Sequence, residues 1–403
     1  MIYTCSIKYS NMKISTCIGI LLSAICPLIV SASTQQTLVN NSSEQDGRDS
    51  SLFNLHVLGR TTFNAGKESG RDFNANFKLD EARLLFSGHV SPDLSYKVRF
   101  RLNRAFTTTS QDNGSRALDY AHVNYRFGKQ KKWEIALGKQ AAAVGSYEFV
   151  NNPVYEYIFT DYVDRILNLF VVGATFSYKV SPTNSLLFQV YNTSTENFDQ
   201  LLKTSGYGAG GFTQSDRPIG AYLTWEGNFL DKAITTKWSY NYAQLVAGGD
   251  NQAISLANMY KSKATKLYLD LQYSDYGVDH TMLASNAIHA FNGTSGVDRT
   301  MLKDVVYKSA VLRCDRQFTE NWGISLKGAY ETASARNLQQ IGNDFRRNWT
   351  CYAALEHMPI PTKDWKLFAG YIGNTIAYKS HMALPKEQHH RFIIGTYFNL
   401  TAI

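Results

Sequence analysis

The chain has 403 residues, and its 41 Lys and Arg against 33 Asp and Glu give a formal charge of +8. Its five cysteines are too few for a disulfide framework in a chain of this length, and beyond the N-terminus no run of roughly 18 apolar residues exists to form a membrane helix. The 25 Tyr, 22 Phe and 6 Trp suit either the two interfacial girdles of a membrane β-barrel or a large β-sandwich.

Lys8 and Lys13 precede an apolar run from Ile18 to Val30, and Val30-Ser31-Ala32 then offers small residues for cleavage. Residues 1–32 therefore read as a signal peptide that exports the chain. Its removal takes two lysines and no acid, leaving 39 minus 33, or +6, and only Cys314 and Cys351. Residues 33–50, polar and without a period, read as a periplasmic tail, and residues 51–403 as a transmembrane β-barrel.

From Phe53 onward the chain alternates with period two. Phe53 to Phe63 and Phe77 to Val90 are strands, and Ser91-Pro92-Asp93 is a tight turn. The turn delivers Leu94 to Leu102, in which Leu94, Tyr96, Val98, Phe100 and Leu102 share one face while Lys97, Arg99 and Arg101 share the other. A soluble sheet alternates in the same way. In a membrane, however, the basic face must line a lumen, since each Lys or Arg at the bilayer midplane costs roughly 2 to 4 kcal/mol.

Leu118 to Phe127 and Trp133 to Gly138 follow, then a stretch without clean period from Lys139 to Asp164. Further strands fall at Phe170 to Val180, Leu186 to Tyr191, Ile219 to Glu226, Thr235 to Ala243 and Lys266 to Tyr273. The last group comprises Val305 to Cys314, Trp322 to Thr332, Trp349 to His357, Trp365 to Tyr371 and His390 to Leu400. Connections alternate long and short, as in a barrel with long outer loops and short periplasmic turns. That rule demands one hidden strand, placed at Val278 to Ile288, for an all-β antiparallel barrel of about sixteen strands with both termini in the periplasm.

Parity puts twelve cations in the lumen: Arg60, Arg83, Lys97, Arg99, Arg101, Arg126, Lys179, Lys237, Lys266, Lys327, Lys366 and Arg391. Six acids accompany them, namely Glu81, Glu134, Glu226, Asp270, Glu331 and Glu356. A positive lumen concentrates anions. Arg83, Lys97, Arg99, Arg101, Arg126, Lys327 and Arg391 are the candidate anion-binding residues of the pore wall. The segment from Tyr147 to Asp164 is expected to fold inward as a constriction loop facing Arg99 and Arg101, with Glu148, Glu156, Asp161 and Asp164 and no base.

Four stretches carry a resemblance: Ala82 to Tyr96 (Ala-Arg-Leu-Leu-Phe-Ser-Gly-His-Val-Ser-Pro-Asp-Leu-Ser-Tyr), Leu118 to Tyr125, Leu137-Gly138-Lys139, and Arg391-Phe392-Ile393-Ile394-Gly395. In these the chain resembles the phosphate-selective porin O and P family of bacterial outer-membrane channels. The resemblance implies a sixteen-stranded homotrimeric porin in outer-membrane lipid, a loop folded into the lumen, and Arg and Lys side chains that bind small anions or other hydrophilic solutes there. Of these residues, Arg83 sits within the matching motif. The acidic loop departs from the basic constriction that phosphate selectivity implies.

No cofactor, metal or nucleic-acid partner is expected. His389 and His390 are adjacent on a strand and point to opposite faces, which suits one ion poorly. The Gly-rich run from Gly206 to Gly211 lacks a following Lys-Ser or Lys-Thr, and no Gly-x-Ser-x-Gly elbow marks a hydrolase, so an enzyme is not expected. A non-conducting surface adhesin or receptor barrel is the alternative.

Overall fold

Strands that alternate faces leave a row of unpaired N–H and C=O groups at each sheet edge, and in lipid such an edge is too costly to persist. Here there is none: sixteen antiparallel strands form a closed barrel in which each pairs with its sequence neighbours and the last pairs with the first. The computed structural model describes residues 51–402 except 109–111, 113, 152, 195–201, 203, 204 and 209. The signal peptide and the tail fall outside these residues.

The strands are β1 (Asn54–Glu68), β2 (Asn74–Ser91), β3 (Leu94–Arg101), β4 (Leu118–Phe127), β5 (Trp133–Ala141), β6 (Phe170–Ser181), β7 (Asn184–Asn192) and β8 (Ile219–Phe229). The second half comprises β9 (Ile234–Val246), β10 (Gly249–Lys261), β11 (Thr265–Val278), β12 (Lys303–Gln317), β13 (Trp322–Ala335), β14 (Arg346–His357), β15 (Trp365–Tyr378) and β16 (Glu387–Thr401). Outward positions such as Leu223, Ile254, Leu355, Phe392 and Ile394 are exposed, as a lipid-facing surface requires.

The expected count is met, but the hidden strand lies elsewhere. It is β10, and the region assigned to it, Val278 to Ile288, instead ends β11 and enters an outer-loop helix, α2 (Leu283–Asn292). Two physical reasons account for this. The inward face of β10 is Asn251, Ala253, Ser255 and Ala257, all buried and mostly small, so its alternation is faint. And β9 joins β10 through Ala247-Gly248, where Gly248 has φ +71°, a two-residue hairpin on the side where long loops are the rule.

The interior is not uniformly wet. The segment between β5 and β6 enters the barrel through α1 (Tyr147–Val150) and returns through a π turn at Tyr162–Ile166. Val144, Tyr162, Val163 and Ile166 of this loop pack with Tyr191, Tyr222, Tyr307, Phe345 and the α2 residues Leu283, Ala284, Ala287 and Ile288. A second apolar cluster holds the loop tip, where Tyr155 and Tyr157 insert among Tyr352, Phe368, Ile393 and Tyr397.

Candidate functional site: an inner loop and a basic wall

The inner loop leaves β5 close against the far wall. Gly145 donates its N–H to the Ser239 hydroxyl at 2.8 Å, and a Cβ at Gly145 would lie 2.3 Å from the Lys237 carbonyl oxygen. Any larger residue forces the loop off the wall. Two wall carboxylates then receive its backbone. Asp270 of β11 accepts from the Ser146 hydroxyl and the Glu148 N–H, each at 2.9 Å, and Glu331 of β13 accepts from the N–H groups of Asp161 and Tyr162 at 2.8 and 2.9 Å.

The loop acids are neutralised by buried cations on the same side. Lys327 of β13, fully buried, donates to Glu148 at 2.5 Å, to Glu156 at 2.9 Å and to the Ile158 carbonyl at 2.7 Å. Arg313 of β12 donates to Glu156 at 2.7 Å, and Arg346 of β14 donates to Asp161 at 2.6 Å. At the tip, Tyr157 donates to Glu356 at 2.8 Å, Tyr155 donates to Asp364, and Arg60 of β1 donates to the carbonyls of Pro153, Val154 and Glu156. Burial, reinforced by these carboxylates, holds both tyrosine phenols well above their usual range, so each remains a donor at any physiological pH.

This geometry corrects three expectations. Lys327 is covered by the loop and offers no charge to a passing solute, because two carboxylates and a carbonyl take its three N–H groups. The loop's acids face Arg313, Lys327 and Arg346, not Arg99 and Arg101. Asp164 is exposed and takes no part in the network, whereas Glu148, Glu156 and Asp161 are buried within it.

The opposite wall carries the basic ladder, and its organising residue is an acid that parity misses. Pairing between β3 and β4 runs from Arg99 with Tyr120 to Phe100 with Leu118, skipping Asp119. This bulge turns the carboxylate inward. There it accepts from Arg83 at 2.5 Å, Arg99 at 2.9 Å and Arg101 at 2.6 Å, and it is 1% exposed. A matching bulge between β1 and β2 skips Asp80, which accepts from the Thr62 hydroxyl at 2.6 Å.

Arg83, bound also to Glu81 at 2.9 Å, is 2% exposed, so it positions the ladder more than it presents charge. Arg99 stacks over the Tyr120 ring at 4.1 Å and is likewise buried. Lys97 and Arg101 stay partly exposed, as does Arg126, which pairs with Glu134 at 2.9 Å. Arg391 lies apart, on β16 opposite Gly66 of β1, within electrostatic reach of Asp80 and Arg60. Bulged acids break the period and give no alternating signal; Arg313 escapes it because its face of β12 beneath the loop is largely apolar, with Val305, Tyr307 and Val311 in line with it, and Arg346 because it opens β14 three residues before the strand expected from Trp349.

Among solved structures, the outer membrane channel DcaP of Acinetobacter baumannii is similar at a TM-score of 0.61 and 12% identity, over 86% of this chain and 97% of that one. The anion-selective porin from Comamonas acidovorans follows at 0.57 and 12%, over 86% and 99%. The trimer form of OmpT from Vibrio cholerae gives 0.53 and 12%, over 87% and 100%. At such identities these likenesses establish the fold alone. No curated protein matches the chain. The sequence profile of a family of channel proteins matches residues 59–399, nearly the whole barrel. With the closed sixteen-stranded fold and an inner loop to narrow it, this chain belongs to the phosphate-selective porin O and P family and is an outer-membrane porin.

Proposed function

We propose that this porin passes small hydrophilic solutes by passive diffusion with a modest preference for anions, phosphate among them. One observation carries the reading. The wall facing the loop bears Arg83, Lys97, Arg99, Arg101 and Arg126 against Glu81, Asp119 and Glu134, five minus three or +2, with Asp80 offset by Arg60 at 3.7 Å, while the buried loop acids are consumed by cations elsewhere. Field lines from that excess focus in a narrow passage, and its small size makes the preference modest. The expected result in planar bilayers is a steady conductance whose reversal potential, under a tenfold KCl gradient, has the sign of chloride preference. A silent bilayer supports the surface adhesin or receptor instead, and a cation-selective reversal potential rejects the charge assignment.

We further propose export by the N-terminal signal and assembly as a homotrimer in outer-membrane lipid. The strand β3 has only eight residues. At ~3.3 Å per residue and a tilt of ~45° such a strand rises ~19 Å, short of the ~25 Å apolar band. A neighbouring copy against β3 and β4 shields what lipid cannot cover. Cysteine at Val98, which faces outward, is expected to crosslink copies to each other, and a crosslink at Leu355 alone counts against this face.

A further inference from the structure

On the outside of the barrel, the outward face of β12 to β14 carries two cations at one level. Lys308 of β12 pairs with Thr332 of β13, and Thr332 with Arg347 of β14, so the three form a single row across the sheet. Just below that row Tyr330 and Trp349 are paired, with ring centroids 5.3 Å apart, as residues of an aromatic girdle are at the membrane interface. Toward the periplasm the same face stays uncharged through Leu312, Leu326, Ile324 and Leu355, and charge returns at Arg316. Lys308 and Arg347 therefore stand at the headgroups of the outer leaflet.

A cation near the interface costs little, so its position alone decides nothing. Its partners do. Asp344, the acid beside the row, is already satisfied by the Thr332 hydroxyl at 2.8 Å, the Ser334 hydroxyl at 3.2 Å and Lys308 at 3.4 Å. Arg347 is exposed, and among the described residues no carboxylate lies within 4.0 Å of its side-chain nitrogens. Lys308 and Arg347 are two strand spacings of ~4.8 Å apart, with the short Thr332 between them, so both long side chains can reach one group held over Thr332. In the ring of sixteen strands β12 stands opposite β4, so a neighbouring copy against β3 and β4 leaves this face to lipid.

We propose that the outward face of β12 to β14 binds a phosphorylated glycolipid of the outer leaflet, its phosphate held between Lys308 and Arg347. The Arg347 guanidinium matches two phosphate oxygens at once, and Lys308 adds a point charge from the other side. The acyl chains then run down over Tyr330, Trp349 and the apolar positions beneath them. Inorganic phosphate offers the same oxygens without the chains, and it gains none of that contact.

Native mass spectrometry of the folded barrel released from neutral-detergent micelles, titrated with diphosphorylated lipid A, tests this. Saturable binding of lipid A is expected, with far weaker binding of the same lipid stripped of its phosphates and no displacement by inorganic phosphate in large excess. Arg347→Gln and Lys308→Gln should each raise the dissociation constant about fivefold, the share of one cation near an anionic lipid surface. Arg316→Gln, at the periplasmic end of the same face, should leave it unchanged. Both headgroup positions are exposed, where substitution rarely disturbs folding. Equal binding of the stripped lipid, displacement by inorganic phosphate, or parent-like binding in both variants overturns the proposal. So does an equal loss in Arg316→Gln, since any outward cation would then suffice.

Discussion

A porin carrying Lys327→Met is expected to lose about 3 to 5 kcal/mol of stability, the usual consequence of removing one partner from a buried ion pair. Two carboxylates, Glu148 and Glu156, lose a partner together, and Arg313 remains for only the second of them. The loop should then leave its wall, with larger and noisier single-channel conductance in planar bilayers. Restoring charge balance with Glu148→Gln in the same chain should recover part of the loss, since an amide is far cheaper to bury than an unpaired carboxylate. Urea unfolding in lipid vesicles reads the stability and bilayer recording reads the loop. A variant within about 0.5 kcal/mol of the parent, the range of an ordinary surface substitution, would mean that the network does not fasten the loop.

The second large effect concerns the ladder. In the double variant Lys97→Glu with Arg101→Glu the facing wall goes from five cations against three acids to three against five, from +2 to −2. At low salt the reversal potential should change sign toward cations, and the difference from the parent should fade near 1 M, where the Debye length is about 3 Å. Arg99 is left in place because it is buried against Asp119 and the Tyr120 ring, and its loss would test folding instead of permeation. An unchanged low-salt reversal potential would place the permeation path away from β3.

Much of this was legible along the chain. Leu94 to Arg101 alternates apolar and polar residues without a break, the last three polar ones being basic, and the structure keeps that alternation as lipid face and lumen face. Wherever one face of a strand meets lipid and the other meets water, the period of two is printed in residue type. Those strands were located correctly, though the ends of β1, β11 and β15 run five to seven residues beyond the expected ones, and the rule of long and short connections yielded the right count of sixteen.

The failures fall where that contrast disappears. On β10 the inward residues are small because the loop packs closely over them, with the Gly145 Cβ direction 2.8 Å from the Ser255 carbonyl, so the strand left no clear alternation and was sought at Val278 to Ile288 instead. On β12 the lumen face before Arg313 carries Val305, Tyr307 and Val311, as apolar as the lipid face, so the alternation of residue type was faint there.

The sequence by itself determined the barrel, the basic ladder and the four acids of the inner loop, because each is a local pattern of residue type. The tertiary structure alone decided which charges meet. Bulges turned Asp119 and Asp80 inward against the period, and the fold of the loop carried Glu148 to Lys327 across 179 residues of chain. Pairing at that separation depends on how a closed sheet curves and where a loop finds room inside it, and no local period encodes either.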